Sequence, residues 1–161
     1  MALPTVVVGL FVYGFISRRG PLGSLGLLFT PTGVVIGEVI LAWPIITNLT
    51  VAAVKGLDPR LFRTCKTLGA NRFQESWMIF REGRFGIMAA VVAGFGRVIA
   101  EVGVAMMLGG NIKWYTRTMT TAIALETSKG EFALGLALGI VLLSVALAVN
   151  GALSLLQRRG T

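Results

Sequence analysis

Residues 132–156 read FALGLALGIVLLSVALAVNGALSLL and contain no charged side chain. A helix rises about 1.5 Å per residue, so this stretch is long enough to cross the roughly 30 Å hydrocarbon core of a bilayer. It lacks the period-two alternation of apolar and polar residues that is typical of a membrane β-barrel strand. Because only helices and closed barrels satisfy their backbone hydrogen bonds in lipid, the stretch predicts a transmembrane helix.

Three further apolar segments precede this one in the chain. They are residues 1–17, which are close to the lower length limit for a span, residues 30–54 and residues 85–108. The whole chain is 55% hydrophobic and 14% charged, with a mean hydropathy of +0.80. Soluble domains carry about 25% charged residues. We therefore expect an all-α integral membrane protein with about four transmembrane helices.

The composition also limits the chemistry that the chain can perform. It has no histidine and a single cysteine, Cys65, so histidine-based catalysis, disulfides and cysteine clusters are excluded. We predict no catalytic residue, no metal site and no cofactor. The net charge of +8 is explained by basic loops that orient the protein and contact anionic membrane lipid, so nucleic acid is not an expected partner.

Basic residues predict the orientation of the chain in the membrane. Seven lie in the polar segment 55–84: Lys55, Arg60, Arg63, Lys66, Arg72, Arg81 and Arg84. With four spans, the tail with Arg158 and Arg159 lies on the same side. The opposite side has five: Arg18, Arg19, Lys113, Arg117 and Lys129. Segment 55–84 and the C-terminus are therefore predicted to be cytoplasmic, and Arg18 and Arg19 locally oppose this bias.

Segment 55–84 is predicted to form two amphipathic helices. Asp58 can cap the first helix, Gly69 can end it, and Asn71 can cap the second. The apolar positions are Leu61, Phe62, Cys65 and Leu68 on one face of the first helix, and Phe73, Trp77 and Phe80 on the second. Two interpretations remain open: a hairpin that lies on the lipid surface, or a docking element for the groove of a partner protein.

Arg97 and Glu101 stand four residues apart inside the third apolar segment, so they share one helix face. Charges within a membrane are costly unless they are paired or hydrated. They form either a structural ion pair or a gate position at a dimer interface. Glycines 94, 96 and 103 would let helices approach closely in the same region.

A group of polar residues follows this segment: Thr116, Arg117, Thr118, Thr120 and Thr121. Hydroxyl donors and a cation suit a tetrahedral dianion. The alternative, which the pattern favours, is a solvated loop. Glu38, the one charge of segment 30–54, receives no role.

Segment 55–84 resembles the cytoplasmic "EAA" loop of ABC importer permeases. Gly69 and Ile79 keep the spacing of that motif, whereas its Glu-Ala-Ala positions are Arg63, Thr64 and Cys65, and its final Leu-Pro positions are Arg81 and Glu82. The downstream runs AGFGRVIAEVG at 93–103, GGNI at 109–112 and MTTAIALETSKG at 119–130 resemble molybdate and tungstate permeases, and most closely the tungstate branch.

This resemblance implies a type I importer (MetI-like) fold in which residues 1–161 form one permease domain that lacks its N-terminal helices. It also implies a homodimer in the cytoplasmic membrane, a cytoplasmic ABC ATPase subunit and an extracytoplasmic oxyanion-binding protein. The expected ATPase-coupling residues are Leu61, Phe62, Arg63, Leu68, Gly69, Ala70, Phe73 and Trp77. The expected gate and pathway residues are Arg97, Glu101, Asn111, Thr116, Arg117, Thr120 and Thr121.

The expected function is import of tungstate or molybdate. The chain has no phosphate-binding G-x-x-x-x-G-K-[ST] loop, so ATP hydrolysis is assigned to the separate subunit. Import of another anion, such as sulfate, and a truncated, non-transporting membrane scaffold are the alternatives.

Overall fold

The structure is a computed structural model that describes residues 4–158. Within that range it contains eight α-helices, one 3-10 turn (Gly23–Leu25) and no strand. The helices are α1 (Thr5–Ile16), α2 (Pro31–Lys55), α3 (Pro59–Thr67), α4 (Arg72–Glu82), α5 (Arg84–Ile99), α6 (Gly103–Gly109), α7 (Met119–Ser128) and α8 (Phe132–Arg158). The all-α fold class is therefore confirmed.

All four apolar segments are helical, but they do not form four uniform spans. Among the described residues, α2 and α8 are each long and apolar enough to cross a membrane. The 12-residue α1 is shorter than the roughly 20 residues that a straight span needs. The prediction of one continuous helix over residues 85–108 is wrong, because α5 and α6 are separated at residues 100–102 and bent by 62°.

Helices α1, α2 and α6 pack around a small apolar core of Val12, Ile16, Val104 and Leu108, whose exposed fractions are 6% or less. Gly37 of α2 makes this packing possible. A Cβ atom there would lie 2.6 Å from Val104 and would also overlap Leu108, closer than real Cβ contacts allow. The second half of the broken helix is thus held directly against the backbone of α2.

The first half of the broken helix, α5, also packs against α2. A Cβ atom at Gly94 would lie 2.5 Å from Ile46. In contrast, no neighbouring atom lies within 4 Å of the Cβ position of Gly96. The Cβ position of Gly103 lies 3.2 Å from Oε1 of Glu101 and 3.7 Å from Thr5 and Val6 of α1. Of the three glycines expected to allow close helix approach, Gly94 therefore does so against α2, Gly103 lies in contact with α1, and Gly96 faces open space.

The long helix α2, about 37 Å at 1.5 Å per residue, separates two ends of the bundle. At its beginning, the Phe29 N–H donates to the Leu108 carbonyl at 2.8 Å. We call this the distal end, formed by the loop 17–30 and Gly110. At the other end, Lys55 leads directly into α3 and α4, which we call the coupling end.

Candidate functional site

The break between α5 and α6 is organised by the side chain of Glu101, which is only 5% exposed. Its Oε1 accepts hydrogen bonds from the backbone N–H groups of Gly103 at 3.0 Å and Val104 at 3.3 Å. These amides belong to the first turn of α6 and have no partner within that helix. A carboxylate is also favoured at a helix N-terminus by the helix dipole. Glu101 therefore stabilises the break itself.

The second Glu101 oxygen pairs with the guanidinium of Arg97. Nη1 of Arg97 lies 2.8 Å from Oε2 of Glu101, and the two side chains are 35% and 4% exposed. The ion pair, one of the two alternatives for these residues, is present. It joins the last turn of α5 to Glu101 in the break, and Glu101 in turn caps α6, so the carboxylate is paired and the bend is fixed by the same side chain.

The beginning of α7 is attached to this break. The Thr120 hydroxyl donates to the Glu101 carbonyl at 2.8 Å. Thr118 and Thr121 form a capping box, in which the Thr121 N–H donates to the Thr118 hydroxyl at 3.2 Å and the Thr118 N–H donates to Thr121 at 2.9 Å. The start of α7 is therefore a rigid neighbour of the broken helix.

A second polar cluster connects the end of α6 to α7. Arg117 donates through Nε to Oδ1 of Asn111 at 3.1 Å and through Nη2 to the Asn111 carbonyl at 3.3 Å. The Thr116 hydroxyl donates to the Gly109 carbonyl and accepts from the Ile112 N–H at 3.0 Å. This network determines the path of the chain between the two helices.

The favoured interpretation of this region as a solvated loop is wrong. Thr116, Thr120 and Thr121 are 5%, 7% and 0% exposed, and Thr120 and Thr121 belong to a helix. Their hydroxyl groups are already engaged with backbone atoms or with one another. They are therefore placed to hold the bend and its neighbours, and they do not form an open ring of donors.

Glu38 of α2 is the acidic residue that the sequence interpretation left without a role. It lines a cavity of about 290 Å³ together with Glu101, Thr118 and Thr120. Its Oε2 is buried and has no hydrogen-bond partner among the described residues. Its position as the one charge of segment 30–54 was the available signal. Two carboxylates line this cavity, so in this conformation it does not suit a dianion.

The predicted caps of the two helices at the coupling end are confirmed. Asp58 accepts from the Arg60 N–H at 2.8 Å at the start of α3. Asn71 and Gln74 form a capping box at the start of α4, with bonds of 2.8 and 2.9 Å. Between the helices, Gly69 adopts a left-handed φ of 70°, which a residue without Cβ accepts readily. The two helices therefore have locally encoded ends.

These helices carry an exposed apolar surface, which we call the docking surface. Its members and their exposed fractions are Leu68 (79%), Phe73 (78%), Trp77 (62%) and Phe80 (54%). The rings of Trp77 and Phe80 are stacked with centroids 6.2 Å apart. Apolar side chains this exposed are typical of a surface that contacts a partner protein or a membrane, which are the two interpretations that the sequence left open.

The first helix of the pair differs in one respect from the prediction. Leu61 and Phe62 are half-buried and Cys65 is 8% exposed, whereas Leu68 is largely exposed. Leu68 is the C-cap residue, so it lies at the end of α3, beyond the residues that pack against the rest of the chain. Among the other expected coupling residues, Arg63 is exposed and Ala70 is half-buried.

Apolar helices long enough to cross a bilayer, one helix pair broken around a capped carboxylate, and a helical pair with an exposed apolar surface are features of a helical membrane protein. The chain belongs to the family of binding-protein-dependent transport system inner membrane components, whose profile matches residues 1–160. This family has the MetI-like fold that the resemblance implied. The chain is therefore a multi-pass membrane protein.

Three relatives illustrate the similarity. The tungstate uptake system permease protein TupB of Campylobacter jejuni is 45% identical over 93% of this chain and 63% of its own length. TupB of Peptoclostridium acidaminophilum is 43% identical over 98% of this chain and 69% of its own length. A probable anion ABC transporter permease protein of Haloferax volcanii is 41% identical over 93% of this chain and 67% of its own length. The chain thus spans about two thirds of the length of these relatives.

Proposed function

We propose that the chain is the permease subunit of an ABC importer for tungstate, or for the closely similar molybdate. The observation that carries this proposal is the 45% identity to a tungstate uptake permease over 93% of the chain. The substrate would cross the cytoplasmic membrane, and residues 1–161 would act as a single permease domain. As in the resemblance stated above, two copies would form the pathway and an extracytoplasmic binding protein would deliver the oxyanion.

Energy would come from a separate cytoplasmic ATPase that binds α3 and α4. The exposed apolar side chains of the docking surface support this role, because an amphipathic helix presents such side chains to a partner's groove. The capped ends favour a preformed element over one that folds on binding. The proposed contact residues are Leu61, Phe62, Arg63, Leu68, Gly69, Ala70, Phe73 and Trp77.

Helix α5 provides a mechanical connection between this docking element and the break. It begins at Arg84, directly after α4 ends at Glu82, and it ends at Ile99, beside the break. A helix of 16 residues is about 24 Å long and transmits displacement along its axis. Movement of α3 and α4 on nucleotide binding would therefore reach the Arg97–Glu101 pair and change the bend.

The gate would consist of the residues around that bend: Arg97, Glu101, Asn111, Thr116, Arg117, Thr120 and Thr121. Their hydrogen bonds to backbone atoms at the ends of α6 and α7 support a conformational role. Opening would require the two polar clusters to rearrange together, since the Asn111 side-chain amide donates to the Thr121 carbonyl at 3.4 Å and so links them.

The proposed orientation in the membrane rests on the distribution of basic residues. The coupling end and the C-terminus would face the cytoplasm, because segment 55–84 carries seven basic residues. The distal end would then face the binding protein.

The docking assignment is tested with Phe73→Ala/Trp77→Ala. We expect co-purification of the ATPase subunit and tungstate uptake both to fall, while Phe11→Ala/Phe132→Ala, which removes two exposed rings from α1 and α8, leaves them unchanged. If the ring-deleted docking surface retains full ATPase binding, the surface lies on lipid and the coupling proposal is wrong.

Another anion, such as sulfate, is the second candidate substrate, because the 41% identical relative is named only for an anion. Competition separates the two. If excess molybdate suppresses tungstate uptake and excess sulfate does not, the first candidate is supported. If sulfate suppresses uptake as strongly as molybdate, the second candidate is supported.

A further inference from the structure

The loop between α1 and α2 at the distal end is tightly folded. The Gly20 N–H donates to the Ser17 carbonyl at 2.8 Å, and the Leu22 N–H donates to the Phe15 carbonyl at 3.0 Å. A Cβ atom at Gly20 would lie 2.5 Å from the Phe15 carbonyl oxygen, so this turn excludes a side chain. The two residues enclosed by the turn, Arg18 and Arg19, are therefore presented on a defined backbone.

A cavity of about 600 Å³ lies beside this loop. Tyr13, Ser17, Arg18 and Arg19 are the residues with polar side chains among those that line it, and none of the lining residues is acidic. The cavity is large enough for a tetrahedral oxyanion with part of its water shell. A hydroxyl-bearing ring and two guanidinium groups are donors that such an anion requires.

Arg18 and Arg19 differ from the other basic residues assigned to the same side of the membrane. Lys129 pairs with Glu126 at 2.9 Å, Arg117 donates to Asn111, and Lys113 lies 5.7 Å from the centroid of the Trp114 ring. Within residues 4–158, neither Arg18 nor Arg19 forms a salt bridge. Both residues line the cavity and are exposed, so their guanidinium groups are available to an anion.

One wall of the cavity touches the broken helix. Phe29 lines the cavity, has a left-handed φ of 61°, and donates its N–H to Leu108 near the end of α6. A Cβ atom at Gly110 would lie 2.8 Å from the Phe29 ring. An anion in the cavity would therefore sit one side chain away from the end of α6, and so beside the element whose bend is fixed by Glu101.

We propose that this cavity is a capture site for a tetrahedral oxyanion dianion, held by Arg18 and Arg19, on the outer side of the gate. The inference rests on the proposed function and adds a site to it. It also explains why two arginines stand on the side that the positive-inside bias leaves poor in basic residues. The phosphate of a lipid headgroup has the same chemistry, so the experiment separates the two sources.

The test uses the permease assembled with its ATPase subunit in phosphatidylcholine nanodiscs, without binding protein, and titrates sodium tungstate by calorimetry. Arg18→Gln/Arg19→Gln should weaken tungstate binding about tenfold or more, because it removes charge-assisted hydrogen bonds. Arg18→Lys/Arg19→Lys should lose less tungstate affinity, since it keeps both positive charges. Lys113→Gln/Lys129→Gln removes the same charge from the same side and should bind like the wild type.

A second arm adds phosphatidylglycerol to the nanodiscs. If the tungstate affinity is unchanged, the cavity is an oxyanion site. If phosphatidylglycerol abolishes tungstate binding, the arginines hold a lipid headgroup and the proposal is overturned. Equal tungstate affinity of the wild type and the Arg18→Gln/Arg19→Gln variant, or no binding to the wild type, also overturns it.

Uptake by the wild-type complex with its binding protein distinguishes this inference from the function on which it rests. Tungstate uptake without arginine-dependent binding rejects the capture site alone. Arginine-dependent binding without uptake rejects the proposed function and leaves an oxyanion site.

Discussion

Replacing Glu101 by glutamine should destabilise the fold by weakening the break between α5 and α6. The substitution removes the charge that pairs with Arg97 at 2.8 Å, but it keeps an oxygen that can accept from Gly103 and Val104. Breaking a fully buried ion pair costs about 3–5 kcal/mol. The Arg97 side chain is 35% exposed, so water compensates part of the loss.

We therefore expect a loss of about 2 kcal/mol, the size of a hydrogen bond to a charged group. For a chain of this length, that corresponds to a fall in Tm of about 4–8 °C. The assay is thermal unfolding of the purified protein in detergent, followed by its tryptophan fluorescence. Glu131→Gln, which removes an exposed carboxylate outside the break, is the matched control and should leave Tm unchanged.

A double-mutant cycle identifies the ion pair as the cause. Arg97→Gln/Glu101→Gln should lose less stability than the sum of the two single variants, because each single variant leaves an uncompensated charge. The stabilising role of the ion pair is rejected if the Tm of Glu101→Gln is no lower than that of Glu131→Gln. It is also rejected if the stability losses of the two single variants are additive in the double variant.

Three further predictions concern stability, and thermal unfolding measures each of them. Gly94→Val should lower the free energy of unfolding by about 1–3 kcal/mol, because the new side chain overlaps α2. Gly96→Val is the control and should be neutral, because no atom lies within 4 Å of that Cβ position. Equal losses of stability in the two variants would contradict the described packing of α5 on α2. Asn71→Ala should lower the free energy of unfolding by about 1 kcal/mol, because it removes the cap of α4. Faster amide hydrogen exchange in residues 72–76 would show that the loss lies at the start of that helix. Thr116→Val should cost about 1–3 kcal/mol because the buried Gly109 carbonyl and the part-buried Ile112 N–H both lose their partner, whereas Thr47→Val, at an exposed position, should be neutral.

The elements that could be predicted from the sequence are those encoded by neighbouring residues. Asp58, Asn71 and Gly69 mark the ends of α3 and α4 within one turn of chain, and the structure places these ends accordingly. The Arg97–Glu101 contact likewise follows from a spacing of four residues. Such features depend little on distant parts of the fold, so pattern alone was sufficient.

The features that could not be predicted depend on long-range packing. Segment 85–108 is apolar throughout apart from its ion pair, and hydropathy alone gives no reason for a break at residues 100–102. The burial of Thr120 and Thr121 depends on α7 lying beside Glu101, which the local polarity of that region concealed. The cavity at Glu38 required four separate helices to be placed together.

Uptake of tungstate is the most direct test of the proposed function. The measurement is accumulation of tungsten in proteoliposomes that contain the permease, its ATPase subunit and internal ATP, with the oxyanion-loaded binding protein outside. We expect ATP-dependent accumulation of tungsten that persists in excess sulfate and is lost with Phe73→Ala/Trp77→Ala. The proposed function is wrong if no tungsten accumulates, or if excess sulfate suppresses its accumulation as strongly as excess unlabelled tungstate does.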